Sequence, residues 1–363
     1  MAAIGPGVRD LSDQSSRELQ SGLVSVGLPV YNGAQFLREA VDSLLAQDYT
    51  NFELIISDNA SEDETESICR EYAAHDARVR YYRAEQNMGP AWNFLRVYDL
   101  AGGEYFLWAA HDDRRAPRCL SLCVAALEQN PRALMCCMDA RLIDENGQDV
   151  TATYPFRCYH PTGERPIERL RGLVRSSSWL DVYSLFRTPA LAEPRQWKIN
   201  AWGGDVVLVA QLCLSGEVVE AKEQLLDYRY FSSKTVEDVA RGQSTSAKSV
   251  EVSWSNLTTD ILECVQSSPL GFLEKFGVKW MVVVEFCFRN KSVGWGIGKE
   301  GFDGARRAFA GGLYGRAFTL SAIALLKRME GFIQRVKRSL QSRSGRLVAP
   351  LQRERSSEER RRG

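Results

Sequence analysis

The sequence predicts a doubly wound α/β sheet, and three observations carry that prediction. Short β-rich apolar runs alternate with segments of helical periodicity from Leu23 to about residue 145. The helical segments are about ten to fifteen residues long, which suits crossovers between parallel strands. Short polar clusters close the runs, and in open sheets of this kind a ligand binds beyond the carboxyl ends of the strands.

Each element follows from its residues. LVSVGLPV, ending at Val30, is continuously apolar, as a strand buried on both faces must be, and it stops at the turn signal Tyr31-Asn32-Gly33. Phe36, Leu37, Ala40, Val41, Leu44 and Leu45 then mark one face of a helix. FELIIS (Phe52 to Ser57) is a second strand, and the helix after it opens with Ser and acidic residues that suit the positive end of a helix dipole. VRYY (Val79 to Tyr82) is a third strand, followed by a helix with Pro90 near its first turn. EYFLWAA (Glu104 to Ala110) is a fourth, with His111-Asp112-Asp113 at its end. A helix from Pro117 to Gln129 and a fifth strand, ALMCCMDARLI, come next.

Past about residue 150 the alternation loosens into an α+β pattern. It contains a strand at DVYSLFR, a helix from Asp205 to Leu214 and a strand pair at EVVEA and QLLDYRY. Ser232 to Ser253 is polar and Ser-rich, a loop or linker by composition, and two or three helices follow between Trp254 and Gln341.

Composition narrows the function classes. The 363 residues are 44% hydrophobic and 25% charged, the profile of a packed globular chain. Basic and acidic side chains balance at 46 each, which disfavours a protein built to coat nucleic acid. The balance conceals a basic tail: residues 327–363 hold 12 Lys/Arg against 4 Asp/Glu. Nine cysteines, with no C-x-x-C pair and no His at zinc-finger spacing, read as small core residues in a reducing compartment. The first 22 residues lack the apolar run of a secretory signal and read as a disordered lead, and no window has the ~18 apolar residues of a spanning helix. A cytoplasmic chain, or one held only at a membrane surface, is expected.

Chemistry enters at the strand ends. Two adjacent carboxylates, Asp112 and Asp113, close an apolar aromatic strand; alone they read as a solvated turn, but at a sheet edge they suit a hard divalent cation on a diphosphate. Pro29-Val30-Tyr31-Asn32, Asp58-Asn59-Ala60-Ser61 with Asp63, and Gln86-Asn87-Met88-Gly89 face the same edge if the sheet is parallel. Such short polar groups can meet a base and a ribose, and Gly89 lets the backbone approach closely.

These segments, VSVGLPVYNGAQFLREAVDSLLAQDYTNFELIISDNASEDET and QNMGPAWNFLRVYDLAGGEYFLWAAHDD, resemble a family 2 glycosyltransferase over residues 23 to 145. The resemblance implies a GT-A fold, a Rossmann-like, mostly parallel sheet flanked by helices, here with a C-terminal helical extension. It implies a nucleotide-sugar-binding half (23–145) and an acceptor-binding half (146–231), beside the disordered lead (1–22), the linker with helical extension (232–341) and the basic disordered tail (342–363) that composition and pattern give. Pro29, Val30, Tyr31, Asn32 and Asp58 would contact the nucleoside, with Asn59, Ser61 and Asp63 supporting that loop and Asn87 and Gly89 shaping the donor pocket. Asp112 and Asp113 would bind Mg²⁺ or Mn²⁺, with Asp113 the main ligand. The chain departs from the family at His111, where an acid is common; its imidazole would bond the donor or merely cap the strand.

An inverting transfer also needs a base for the acceptor hydroxyl. The matching stretch is Trp202-Gly203-Gly204-Asp205, and Asp205 is the candidate, with a helix N-cap as its alternative and Asp181 as a weaker rival. Arg229 would approach donor phosphates or serve at a strand edge. Gly294 to Lys299 lacks the Ser or Thr of a phosphate loop, and the three histidines stand far apart, so neither is taken further. In the tail, Ile323, Leu326, Met329, Phe332, Ile333, Val336 and Leu340 recur at helical spacing among basic residues, a pattern for an anionic membrane surface (residues 317–363) or for packing on the body. The expected function is transfer of a sugar from a nucleoside-diphosphate sugar to a hydroxyl of a surface glycan or lipid-linked saccharide. A non-catalytic sugar-nucleotide-binding module and a sugar nucleotidyltransferase are the alternatives; the second would want a Gly- and Arg-rich loop where LPVYNGAQ stands.

Overall fold

A computed structural model describes residues 18–154, 158–176, 180–192, 203–232 and 254–285. The chain divides into two compact units, 1–252 with 260–282 and 253–259 with 283–363. Of the second, the described residues are 254–259 and 283–285, all helical.

The first unit is built on one sheet of eight strands. In chain order these are β1 (Gln20–Val30), β2 (Phe52–Asp58), β3 (Val79–Arg83), β4 (Gly103–Trp108), β5 (Arg114–Arg115), β6 (Ala133–Ile143), β7 (Leu185–Arg187) and β8 (Glu217–Arg229). Their spatial order is β3-β2-β1-β4-β7-β6-β8-β5. The run β3-β2-β1-β4 is parallel, as are β6 and β8, while β7 is antiparallel to β4 and β6 and β5 is antiparallel to β8. Helices α1 (Ala34–Leu45), α2 (Thr65–His75), α3 (Pro90–Leu100) and α4 (Cys119–Gln129) follow the first strands. The later helices are α5 (Pro166–Arg175), α6 (Gly204–Ser215), α7 (Trp254–Ser267) and α8 (Phe272–Val284).

The residues explain these elements. Val24 to Val30 are buried to the last residue, so β1 can be apolar without alternation. Leu37, Ala40, Val41 and Leu44 form the buried stripe of α1. Under α3 an aromatic cluster forms around Trp108, whose ring lies edge-on to Phe106 at 4.6 Å and to Phe186 at 5.7 Å. Seven of the eight described cysteines are buried and none is in a disulfide.

Four boundaries differ from the sequence reading. β1 reaches back to Gln20, inside the expected lead, because its amide bonds the Gly102 carbonyl at 2.9 Å ahead of β4. DVYSLFR is a 3₁₀ turn (Leu180–Tyr183) with only Leu185–Arg187 extended. The expected strand pair EVVEA and QLLDYRY is one strand, β8; its polar Lys222-Glu223-Gln224 lies at an irregularity in the pairing with β6 rather than in a turn. β5, two residues long, has no sequence signal of its own. Residues 1–17, Trp202, Cys287, residues 233–253, the Gly294–Lys299 stretch, the helix expected over 323–340 and the tail lie outside the described residues.

Candidate active site

The parallel register brings Val30, Asp58 and Arg83 level, so the loops after β1, β2 and β3 share one edge. Hydrogen bonds then knit them together. The Asn32 amide donates to Ser61 Oγ at 2.9 Å, and Asn32 Oδ1 accepts from the Glu62 amide at 2.8 Å. Asn32 adopts a left-handed φ of 51°, which Asn tolerates better than most residues. The Asn59 amide donates to the Val30 carbonyl at 2.9 Å, while its side chain donates to Asn87 Oδ1 and accepts from the Met88 amide, both at 2.9 Å. Gly89, at φ 89° and ψ 162°, holds a conformation close to glycine-only and directs the chain into Pro90. Asn93, which the sequence reading missed, is buried beneath: its amide donates to the Ser57 carbonyl at 2.8 Å and the Val30 carbonyl at 3.2 Å. Pro29 and Val30 are buried, whereas Tyr31 and Asn32 are exposed and can meet a ligand.

Asp58 requires a correction. It has no exposed surface: Oδ1 accepts from the Ser61 amide at 2.8 Å, and Oδ2 accepts from Tyr81 at 2.8 Å and Arg83 at 2.6 Å. Its carboxylate anchors the loop in this structure, and a base would have to open that cluster to reach it. Asp63 anchors the same loop to α1, accepting from the Ala34 amide at 3.1 Å and the Thr65 amide at 3.0 Å. Desolvation opposes its charge, but the Thr65 and Ala34 bonds outweigh it and hold the carboxyl below its ordinary range. A lowered folded-state pKa stabilises the fold above the unfolded value and is lost as pH falls through the folded one. Wild-type protein should therefore lose more stability than Asp63→Asn when acidified below about pH 4, as thermal melts over that range would show. Equal acid sensitivity would contradict this.

His111-Asp112-Asp113 follows β4, beside β1. A Cβ on Gly33 would sit 2.7 Å from His111 Cδ2 and 2.5 Å from Val30, so glycine there lets the two loops close up. Asp113 is 5% exposed; Oδ1 accepts from the Arg229 amide at 2.8 Å, and Oδ2 is buried with no hydrogen-bond partner. Burial first, then the neighbouring Asp112 charge, push its pKa up to about 8. A buried carboxylate with one oxygen unspent, next to a second carboxylate, fits a hard divalent cation.

Arg229 is not available to phosphates, contrary to one sequence reading. Its guanidinium is 1% exposed and donates to the carbonyls of Asp112 (2.8 Å), Asp144 (2.8 Å) and Glu145 (3.2 Å) and to Glu39 Oε2 (2.6 Å). It also lies 4.3 Å over the Phe36 ring. It is a keystone that ties the acidic turn to α1 and to the loop after β6. Glu39, on α1, was likewise missed, because nothing in its own segment signals a partner 190 residues away.

Asp205 stands in the first turn of α6, two residues after the N-cap Gly203, which is left-handed. It is exposed to solvent, and desolvation by neighbouring protein raises its carboxyl pKa against the favourable backbone amides of Asp205 and Val206. The phenols of Tyr183 and Tyr228 are raised, first by burial and then by nearby charges that include Asp113, Asp112 and Asp205, so all three carboxylates lie within electrostatic reach of both rings. Asp181, the rival base, is buried against His160 instead, at 3.2 Å.

A twisted sheet with ligand loops at the carboxyl ends of its parallel strands, and an acidic turn beyond β4, defines the GT-A class of fold. Residues 25–178 match the family model for glycosyl transferase family 2. An uncharacterized glycosyltransferase of Rickettsia typhi is 43% identical over 97 residues, 27% of this chain and 29% of that protein. The matched stretches span less than half the length of such curated relatives. Among solved structures, Staphylococcus aureus TarS 1–349 in complex with UDP-GlcNAc superposes with a TM-score of 0.56 at 18% identity, over 73% of each chain. The mannosyltransferase PcManGT of Pyrobaculum calidifontis, in complex with GDP-Man and Mn²⁺, gives 0.50 at 14% identity over 84% of this chain and 86% of that one. These two likenesses establish the shared fold.

Proposed function

We propose that the protein transfers a sugar from a nucleoside-diphosphate sugar to an acceptor hydroxyl with inversion at the anomeric carbon. The observation that carries this reading is the acidic turn after β4, where buried Asp113 keeps one oxygen unspent beside Asp112, set against the knitted loops of β1 to β3 by the close approach of His111 to Gly33. The solved relatives named above hold UDP-GlcNAc or GDP-Man, which supports a nucleotide-sugar donor here.

In this reading Tyr31 and Asn32 meet the nucleoside and Asp58 fixes the loop under it. Asn87 and Gly89 bound the donor pocket, and His111 stands beside the diphosphate. Asp113 and Asp112 would hold Mg²⁺ or Mn²⁺, which when bound offsets the charge developing on the departing diphosphate. Asp205 orients the acceptor hydroxyl and takes its proton as that oxygen attacks; its raised pKa makes it a better base near neutral pH. The acceptor, a surface glycan or lipid-linked saccharide, enters from the half beyond residue 146, at the cytoplasmic face of a membrane. Among the described residues no helix is long and apolar enough to cross one.

The test is a thermal-shift screen of UDP- and GDP-sugars with and without Mn²⁺. A donor at a hundredfold excess over its Kd stabilises the native state by about 2.7 kcal/mol. The reading expects at least one donor to raise the Tm only with the cation. No shift for any donor with Mn²⁺ present would overturn it.

A further inference from the structure

The described residues contain a second cluster of metal-ligating side chains, away from the acidic turn. His160, with its side chain 8% exposed, points Nε2 at Asp139 Oδ1 (3.0 Å) and Nδ1 at Asp181 Oδ1 (3.2 Å). One ligand atom each from Asp139, Cys158 and His160 lies within 4.8 Å of the others. These three line one wall of an open cavity of about 490 Å³, together with Glu220 and Arg171.

We propose that Asp139, Cys158 and His160 Nε2 form a binding site for a zinc-class divalent cation. Three features carry this. The donor set is one oxygen, one nitrogen and one sulfur, a mixture that suits borderline-soft Zn²⁺ rather than Mg²⁺ or Ca²⁺. A thiolate and a carboxylate bound with a neutral imidazole offset the two charges of a divalent ion among its own ligands. The second ring nitrogen faces Asp181, a buried carboxylate that accepts from Nδ1–H, the usual outer partner of a zinc-bound histidine, while Nε2–H faces Asp139 and would give up its proton to the incoming cation. The cavity supplies an entry path and leaves a fourth position for water or Glu220. Bound metal would pin the segment leading into α5 onto β6, adding to the His160–Asp139 contact between them. The Cys-x-His spacing is short, and its third ligand lies on a neighbouring strand, which hides the set from a sequence scan.

The experiment is titration of the full-length, chelator-treated protein with Co²⁺, a spectroscopic substitute for Zn²⁺. One equivalent should bind with a near-ultraviolet sulfur-to-cobalt charge-transfer band that Zn²⁺ abolishes. Cys158→Ser should lose the band, Asp139→Asn should weaken Co²⁺ binding at least about tenfold, and Asp113→Asn should retain both band and affinity. The last variant separates this site from any cation at the acidic turn. A folded wild type with no thiolate band, or a band that persists in Cys158→Ser, would overturn the proposal. Should Cys158→Ser misfold, Asp139→Asn decides, and unchanged affinity there would also overturn it.

Discussion

Asp205→Asn is expected to lower sugar transfer by about 10²–10⁴-fold, the ordinary contribution of a positioned general base, while donor affinity changes less than about twofold. The amide keeps the size and the helix position but cannot take a proton. Asp205 is exposed in the first turn of α6, and an asparagine there keeps an oxygen for the amides of Asp205 and Val206, so its replacement leaves the fold intact. Single-turnover rates with saturating donor, beside donor binding, separate the two effects. Full activity in the variant would remove Asp205 from the chemistry, and lost donor binding would move it to the donor side.

The second large effect concerns Asp113. Asp113→Asn should cut transfer by about 10²–10³-fold, as expected when a group stabilising transition-state charge is lost, yet the cation-free variant should melt no lower than wild type. The cause lies in the geometry: a buried carboxylate with one unpartnered oxygen beside Asp112 burdens the fold. An asparagine retains an oxygen for the Arg229 amide and removes the charge repulsion. Wild type should gain stability on adding Mn²⁺, and the variant should not. A large fall in the cation-free Tm would mean that Asp113 is a structural anchor instead.

The half of the fold from β1 to β4 was legible because strands buried on both faces leave unbroken apolar runs, and because the crossover helices carry clear stripes such as Leu37 to Leu44. The other half was less so. β5 and β7 are two and three residues long, too short to show a period, and β8 carries a polar stretch that imitates a turn. At the site, loop residues Asn32, Asn59 and Ser61 stood next to strand ends and could be picked out locally. Asn93, Glu39 and Tyr183 could not, since each acts on residues far along the chain. One of the two readings of Arg229, the phosphate ligand, failed for a related reason: an Arg beside an aromatic ring looks like one until its carbonyl partners at 112, 144 and 145 are seen.

The central claim is that the carboxylate at 113 joins a cation to a nucleoside diphosphate at the edge where the first four strands end. Calorimetric titration of UDP and of GDP, with and without Mn²⁺, into wild type and Asp113→Asn tests it most directly. One of the two nucleotides should bind wild type at least about tenfold tighter with the cation, and the variant should bind with or without Mn²⁺ as cation-free wild type does. Equal affinity in the variant and wild type with Mn²⁺ present, or no binding of either nucleotide, would contradict it.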